Sequence, residues 1–255
     1  MKLRQRTILI TGGTSGIGLE LARQLLARGN TVIVTGRDAQ RAADAQRRLP
    51  GLHAVVSDVA DAAAIVGLHA ELTARFPALD VLVNNAGIMR NLDLAHPRTL
   101  ADVTREIDVN LRGPLRMVQQ FLPHLASRGD AAIVNVSSGL AFVPLAISPV
   151  YSAAKAALHA YTRALRVQLA GGPVQVFEIA PPPVETRLMR AEFESELKGS
   201  KGMPAEALAR RAIEGIERGR HEIRPGIAAV LKAMSRIAPE FMFRQLTRMM
   251  KPSAA

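Results

Sequence analysis

The 255-residue chain has no cysteine, no tryptophan, two tyrosines and seven phenylalanines. Without thiols there is no disulfide and no thiolate metal site. No basic cluster is interleaved with aromatics and no zinc pattern is present, which argues against nucleic-acid binding. No apolar run reaches the ~18 residues of a membrane-spanning helix. The apolar stretch behind the basic N-terminus, Thr7-Ile8-Leu9-Ile10, is too short for a signal-peptide core. A cytoplasmic protein is expected. Lysine is also scarce, supplying six of the 33 basic residues. The net charge of +11 admits an acidic partner such as a carrier protein or anionic lipid. An arginine-rich, alanine-rich composition of the kind GC-rich genes produce is the plainer account of it.

What is present is alternation. Short apolar, β-branched runs near 7–11, 31–36, 54–57, 81–84, 132–136 and 174–179 read as strands. The longer Ala/Leu/Arg segments near 17–28, 39–49, 62–75, 101–111, 115–127, 151–169 and 204–218 read as helices. Apolar strands separated by helices predict an α/β fold: a doubly wound, Rossmann-type parallel sheet with helices on both faces. No repeat or linker divides the chain, so residues 1–255 read as one domain. Residues 181–203 break the rhythm, opening with Pro181-Pro182-Pro183 and carrying many charges. A segment this long between elements is expected to act as a lid containing a short helix. At 240–251, Met242, Phe243, Leu246, Met249 and Met250 share a helical face opposite Arg244, Arg248 and Lys251, with Phe241 the exception. This stripe is expected to pack against the protein's own core or a partner subunit, with a membrane surface as the lesser alternative.

Three local patterns carry chemistry. The first predicted strand runs into Thr11-Gly12-Gly13-Thr14-Ser15-Gly16-Ile17-Gly18 and then directly into a helical pattern. That is the placement in which glycines let backbone approach a pyrophosphate and helix-start N–H groups face the anion. The second strand ends in Gly36-Arg37, where an acidic residue would bind a ribose 2′-hydroxyl and arginine suits a 2′-phosphate. This favours NADP(H) over NAD(H). Asp38 and Ser15 temper that reading, although Asp38 also suits a helix cap. Finally, Tyr151 has Lys155 four residues on, whereas Tyr161 has Leu165. On a helix the phenol and ammonium share a face, and a nearby cation is expected to lower a phenol's pKa. Taken alone, the pair is also what a buried aromatic beside a solvated lysine would give.

Together these segments resemble the short-chain dehydrogenase/reductase family in its single-domain form, over nearly the whole chain. In order they are Thr11 to Gly18, Asp58-Val59, Asn84-Asn85-Ala86-Gly87, Asn110, Ser137-Ser138, Tyr151 and Lys155, and Pro181 to Thr186. The Phe177 to Pro182 stretch is similar to a bacterial branch whose namesake is encoded with teichoic-acid D-alanylation genes. The resemblance implies that Asn110, Ser138, Tyr151 and Lys155 are catalytic. It implies that the cofactor is held by Gly12, Thr14, Ser15, Gly16, Ile17, Gly18, Arg37, Asp58, Val59, Asn85, Ala86, Gly87, Tyr151, Lys155, Val184 and Thr186, with no metal. Asp58 would bond adenine, Asn84 would tie the fourth strand to its neighbours, and Asn110 would hold a water relayed to Lys155. Val184 would meet the carboxamide, and Thr186 would lie near the phosphates. Singly, several of these also suit caps, turns or strand ends. The family's usual Pro-Gly is replaced here by a proline run, so the turn should take another path. The implied reaction is reversible hydride transfer between NADP(H) and a ketone, aldehyde or secondary alcohol, in a homodimer or homotetramer. Two alternatives stand beside it: a 3-oxoacyl-(acyl-carrier-protein) reductase and a dinucleotide-sensing protein without turnover.

Overall fold

A computed structural model describes residues 1–186, 188, 193 and 202–249. The strands are β1 (Thr7–Thr11), β2 (Thr31–Gly36), β3 (His53–Val56), β4 (Leu79–Asn84), β5 (Ala131–Val136), β6 (Val174–Ile179), β7 (Val184–Glu185), β8 (Met203–Pro204) and β9 (Glu222–Ile223). The helices are α1 (Gly16–Leu26), α2 (Ala39–Arg48), α3 (Ala62–Arg75), α4 (Leu100–Ile107), α5 (Gly113–Ala126), α6 (Pro149–Gln168), α7 (Ala205–Glu217), α8 (Ile227–Ile237) and α9 (Pro239–Met249).

Seven strands form one parallel sheet in the order β3-β2-β1-β4-β5-β6-β9, and β7 pairs with β8 in a small separate ribbon. The chain winds outward from β1 to β3, returns to β4 on the other side of β1, and winds away again. The reversal point lies between β1 and β4, where such sheets bind ligands at the carboxyl ends of their strands.

The strands alternate faces, and both faces are apolar. Ile8, Ile10, Val32, Val34, Val134 and Phe177 pack with Leu21, Leu25, Leu208 and Ile213 from α1 and α7. Leu9, Ile33, Leu82, Ile133 and Val176 pack with Ile65, Leu68, Met117 and Phe121 from α3 and α5. Each such side chain contributes about 1.5–3 kcal/mol by leaving water. One polar thread crosses this core. Asn84 Nδ2 donates to Asn135 Oδ1 at 2.9 Å, and Asn135 Nδ2 donates to Thr162 Oγ1 at 2.9 Å. Asn84 thus ties β4 to β5 and α6, the role the sequence assigned it.

The structure departs from the sequence reading in places. The segments near 101–111 and 115–127 are not separated: α4 continues through one π-helical turn, Asp108–Arg112, into α5. Pro114 has no N–H, so the donor that would close the Asn110 carbonyl in an α-helix is missing, and the helix widens there. The proline run leads into β7. Prolines donate nothing, but their carbonyls are used: Pro181 O accepts from Gly139 N, and Pro183 O from Met203 N, both at 2.8 Å. The expected lid helix falls mostly outside the described residues; its described flanks are the β7 and β8 strands. Short β9 and helix α8 follow α7 and were not anticipated.

Near the C-terminus, Leu246 of α9 packs on a small cluster of Leu145, Ile147 and Phe193, while Phe241 stays exposed. Met250 and Lys251 lie outside the described residues. Among the described residues no helix is long and apolar enough to cross a membrane.

Candidate active site

The glycine turn is pinned to the β4 end by Thr11. Its Oγ1 accepts from Asn85 N at 3.0 Å and Ala86 N at 3.1 Å. Asn85 Nδ2 answers by donating to Thr11 O and Gly12 O, both at 3.0 Å. Gly12 adopts φ +63°, and a Cβ there would sit 2.7 Å from Ala86 Cα, so both conformation and space require glycine. Asn85 was expected to touch a cofactor; its side chain instead staples the turn.

Around this turn the other expected residues gather. Thr14 packs against Gly36, and Thr186 lies 3.4 Å from where a Gly16 side chain would begin. Ser15 precedes α1, exposed and without a side-chain cap bond. Ile17 is half-buried and Gly18 buried against Asn85. Arg37 is exposed at the end of β2 and makes no ion pair among the described residues. Asp38 does not compete with it: its carboxylate accepts from Arg41 N at 3.0 Å and caps α2. Asp58 Oδ1 accepts from Ala60 N at 2.9 Å. Val59 is buried, with its carbonyl against Gly113. Val184 is buried in β7.

Across the sheet edge, α6 begins at Pro149 and places Tyr151 and Lys155 one turn apart, both buried. Ser138 follows β5; its Oγ accepts from Leu140 N at 3.1 Å, and its side chain lies beside Tyr151, whose ionised form it favours. Lys155 Nζ donates to Val136 O at 2.8 Å and lies 5.7 Å from the Tyr151 ring centre. Gly87 sits between the two halves: a Cβ on it would be 3.0 Å from Asn110 Oδ1 and 3.7 Å from Lys155 Nζ. Asn110 is fully buried in the π turn. Its Oδ1 accepts from Ile88 N at 2.9 Å, and its Nδ2 donates to Ile88 O at 2.7 Å. The side chain is therefore committed to the backbone of Ile88.

One expectation is corrected. Tyr151 was expected to have a lowered pKa beside Lys155. Burial instead pushes the phenol up to about 12, opposed by the neighbouring Ser138 and with the Glu106 carboxylate adding to the rise. Burial also pushes Lys155 down to about 8, opposed by Glu178. Desolvation disfavours both charged forms and outweighs the attraction a solvated pair would have.

Four residues at this edge were not singled out: Thr11, Asn135, His159 and Glu178. Glu178 did leave a signal, as a lone carboxylate in the apolar run of β6, since a buried charge needs partners. Its Oε1 accepts from Ser137 Oγ at 2.5 Å, and both its oxygens meet His159 Nδ1, at 2.9 and 2.8 Å.

Known proteins share this sequence pattern and fold. The model of the family described as short chain dehydrogenase matches residues 6–197. The chain belongs to this family. Over 247 residues it is 40% identical to the oxidoreductase DltE of Bacillus subtilis (strain 168), covering 96% of this chain and 98% of that one. Its fold is similar to that of a short chain dehydrogenase from Burkholderia cenocepacia J2315 solved with NADP. That match has a TM-score of 0.83 and 25% identity, and covers 96% of this chain and 99% of that one. It is also similar to a 3-ketoacyl-(acyl-carrier-protein) reductase from Brucella melitensis complexed with NADH. Here the TM-score is 0.78 with 26% identity, and the match covers 86% of this chain and 94% of that one. The chain is therefore an oxidoreductase of the short-chain dehydrogenase family, similar to DltE.

Proposed function

We propose that the protein is an NADP(H)-dependent oxidoreductase that interconverts a ketone or aldehyde with its alcohol, using Tyr151 as proton donor and acceptor. The observation that carries this reading is the gathering of Ser138, Tyr151 and Lys155, all three buried, with the Lys155 ammonium over the Tyr151 ring, at the same sheet edge as the glycine turn. The residues fit a nicotinamide dinucleotide. The Ser15 hydroxyl, the Arg37 guanidinium and the second carboxylate oxygen of Asp58 have no hydrogen-bond partners among the described residues, and Thr186 lies beside Gly16. The Gly12 to Gly18 turn would hold the pyrophosphate, and Arg37 the 2′-phosphate. Asp58 and Val59 would lie at the adenine, with Ala86, Gly87 and Val184 along the nicotinamide-ribose. When bound, the nicotinamide supplies the redox chemistry.

The protein's own part is the proton and the developing charge. A phenol raised to about 12 is protonated at neutral pH and is held in the donor form. In the reducing direction Tyr151 gives its proton to the carbonyl oxygen, and Ser138 stabilises charge on that oxygen with its own hydroxyl. Lys155, as an ammonium, would hold the ribose and stabilise the phenolate left behind. With the Asn110 side chain committed to Ile88, a relay water would meet the Asn110 backbone carbonyl that Pro114 leaves without its helical donor. Met89, Leu140, Leu145, Ile147, Phe193 and Leu246 gather in one apolar cluster, which suits a small to medium substrate with an apolar flank.

The test is turnover of a panel of carbonyls and alcohols with NADPH and NADH, read by nicotinamide absorbance. Reduction with NADPH supports the reading. Tight dinucleotide binding without turnover would replace it with a sensing role. The net charge of +11 permits, as a second reading, a 3-oxoacyl group carried on an acidic carrier protein; competition between carrier-bound and free ketones separates the two. A cytoplasmic homodimer or homotetramer completes the proposal, with oligomeric state measured by sedimentation.

A further inference from the structure

Directly behind Lys155 lies a cluster of ionisable groups that the proposed chemistry does not use. Glu178 stands on β6 opposite Asn135 of β5, and its side chain has no exposed surface. Ser137, the neighbour of Ser138, donates to it. His159, one turn beyond Lys155 on the same face of α6, meets both its oxygens. The imidazole is largely buried, edge-on to Phe142 at 5.1 Å between ring centres. Around this core, β9 contributes Glu222, Arg224 follows just after that strand, and α8 contributes Lys232. Lys232 and Arg224 both pair with Glu222, and Lys232 lies over the Phe142 ring at 5.2 Å.

The atoms of His159, Glu178 and Glu222 come close enough together to suggest a cation site. The charges argue otherwise. Two carboxylates face three cationic side chains, Lys155, Lys232 and Arg224, and a lone pair on each is already engaged. His159 presents Nδ1 to a carboxylate, which requires a proton there rather than a metal. With Glu222 neutralised by Lys232 and Arg224, Glu178 is the counter-charge left for Lys155.

Resting on the reading of Lys155 as part of the reaction centre, we propose that Glu178, oriented by Ser137 and His159, is the positioning residue that keeps the Lys155 ammonium charged and seated below Tyr151. Lys155 has one protein hydrogen-bond partner in the described structure, the neutral Val136 carbonyl. A buried ammonium with neutral neighbours sheds its proton readily. A carboxylate one strand away opposes this, and it does so without taking the hydrogen-bond positions that Lys155 would offer to a ribose or a water. His159 fixes the carboxylate's orientation, and Ser137 links it to the backbone that carries Ser138.

The test is Glu178→Gln, which keeps shape and hydrogen bonding and removes charge. In the full-length protein carrying isotope-labelled lysine, the titration of Lys155 is followed by NMR with and without NADP+. The chain has six lysines, and Lys155→Arg assigns the signal. The expected result is a titration midpoint lower by about one pH unit or more in Glu178→Gln, restored in Glu178→Asp. Carbonyl reduction in Glu178→Gln should then fall about tenfold at pH 8 and recover toward wild type at pH 6. His159→Gln, which keeps an N–H for the carboxylate, should move the midpoint less than Glu178→Gln. If Glu178→Gln does not fold, Glu178→Asn serves as the neutral variant. An unchanged Lys155 midpoint in a folded neutral variant overturns the proposal. So does a loss of activity that is equal at every pH, or micromolar Mn2+ binding abolished by His159→Gln. A wild-type protein that reduces no carbonyl would defeat the functional reading alone, because the lysine titration is read without turnover.

Discussion

Replacing Lys155 by methionine should make the protein more stable while abolishing its proposed activity. In the unfolded chain a lysine titrates near 10.5, and in the fold burial holds Lys155 near 8. At pH 7 that difference corresponds to about 3 kcal/mol of destabilisation, at about 1.4 kcal/mol per pH unit. The variant also leaves the Val136 carbonyl without its donor, which costs about 1–2 kcal/mol. The net is about 1–2 kcal/mol of added stability, or a few degrees in Tm for a chain of this size. The pH dependence is the sharper reading. Between about 8 and 10.5 the unfolded state binds the lysine proton and the folded state does not, so wild-type stability rises with pH across that window. Tyr151 acts oppositely and later. Its folded value of about 12 lies above the ordinary 10.0, so its contribution is full below pH 10 and is lost as pH climbs toward 12. Urea unfolding of both proteins without dinucleotide, at pH 7 to 10, should show the wild type gaining about 2 kcal/mol relative to Lys155→Met. Parallel stability profiles, or a variant less stable than wild type at pH 7, would refute the reasoning.

Three further outcomes follow from the geometry. Tyr151→Phe should lose at least ~10²-fold in kcat, the scale of a positioned acid-base group, with NADPH binding retained; an active variant would exclude this proton donor. Arg37→Ala removes an exposed guanidinium that makes no ion pair among the described residues, so stability should not change, while NADPH binding weakens roughly 10-fold or more, the scale of a charge-assisted hydrogen bond. NADH binding should be unaffected, and titration of nicotinamide fluorescence measures both; equal losses would remove the 2′-phosphate argument. Asn135→Ala strands the Asn84 amide and takes a donor from Thr162, and should cost about 2–4 kcal/mol in chemical unfolding as buried polar groups lose partners.

Most of the sheet was legible because its strands are continuous β-branched runs, and α2 and α3 begin at aspartate caps. β1, β2, β6 and α3 match the sequence reading residue for residue. Short β9 was not legible. Two paired residues at a sheet edge carry no periodicity, and Glu222 and Ile223 become a strand only because β6 offers Glu178 and Ile179 as partners. The π turn was hidden for a different reason. Its signal is Pro114, which read as a break between two helices when its consequence is one carbonyl without its donor inside a single continuous helix. At the site, residue identities were readable and their duties only partly so. The resemblance put Asn85 at the cofactor and Asn110 at a relay water, and both spend their side chains on neighbouring backbone.

The failed expectation about Tyr151 has the same origin and is the most instructive. Spacing correctly placed an ammonium one turn from the phenol, but spacing says nothing about solvent. In water the pair would favour phenolate. Buried together, each charged form loses hydration, so the phenol rises to about 12 and the amine falls to about 8. A neutral phenol beside a readily neutralised amine would donate a proton poorly unless a further charge held the ammonium in place. That requirement gives a physical reason for a carboxylate at the centre of β6. An isolated buried glutamate costs several kcal/mol, and Glu178 is tolerable because Ser137 and His159 bond it directly and Lys155 balances its charge. On this account Lys155→Met removes that balance. The double variant Lys155→Met/Glu178→Gln should therefore be more stable than the sum of the two single changes predicts, and a strictly additive double-mutant cycle would show the two charges to be uncoupled.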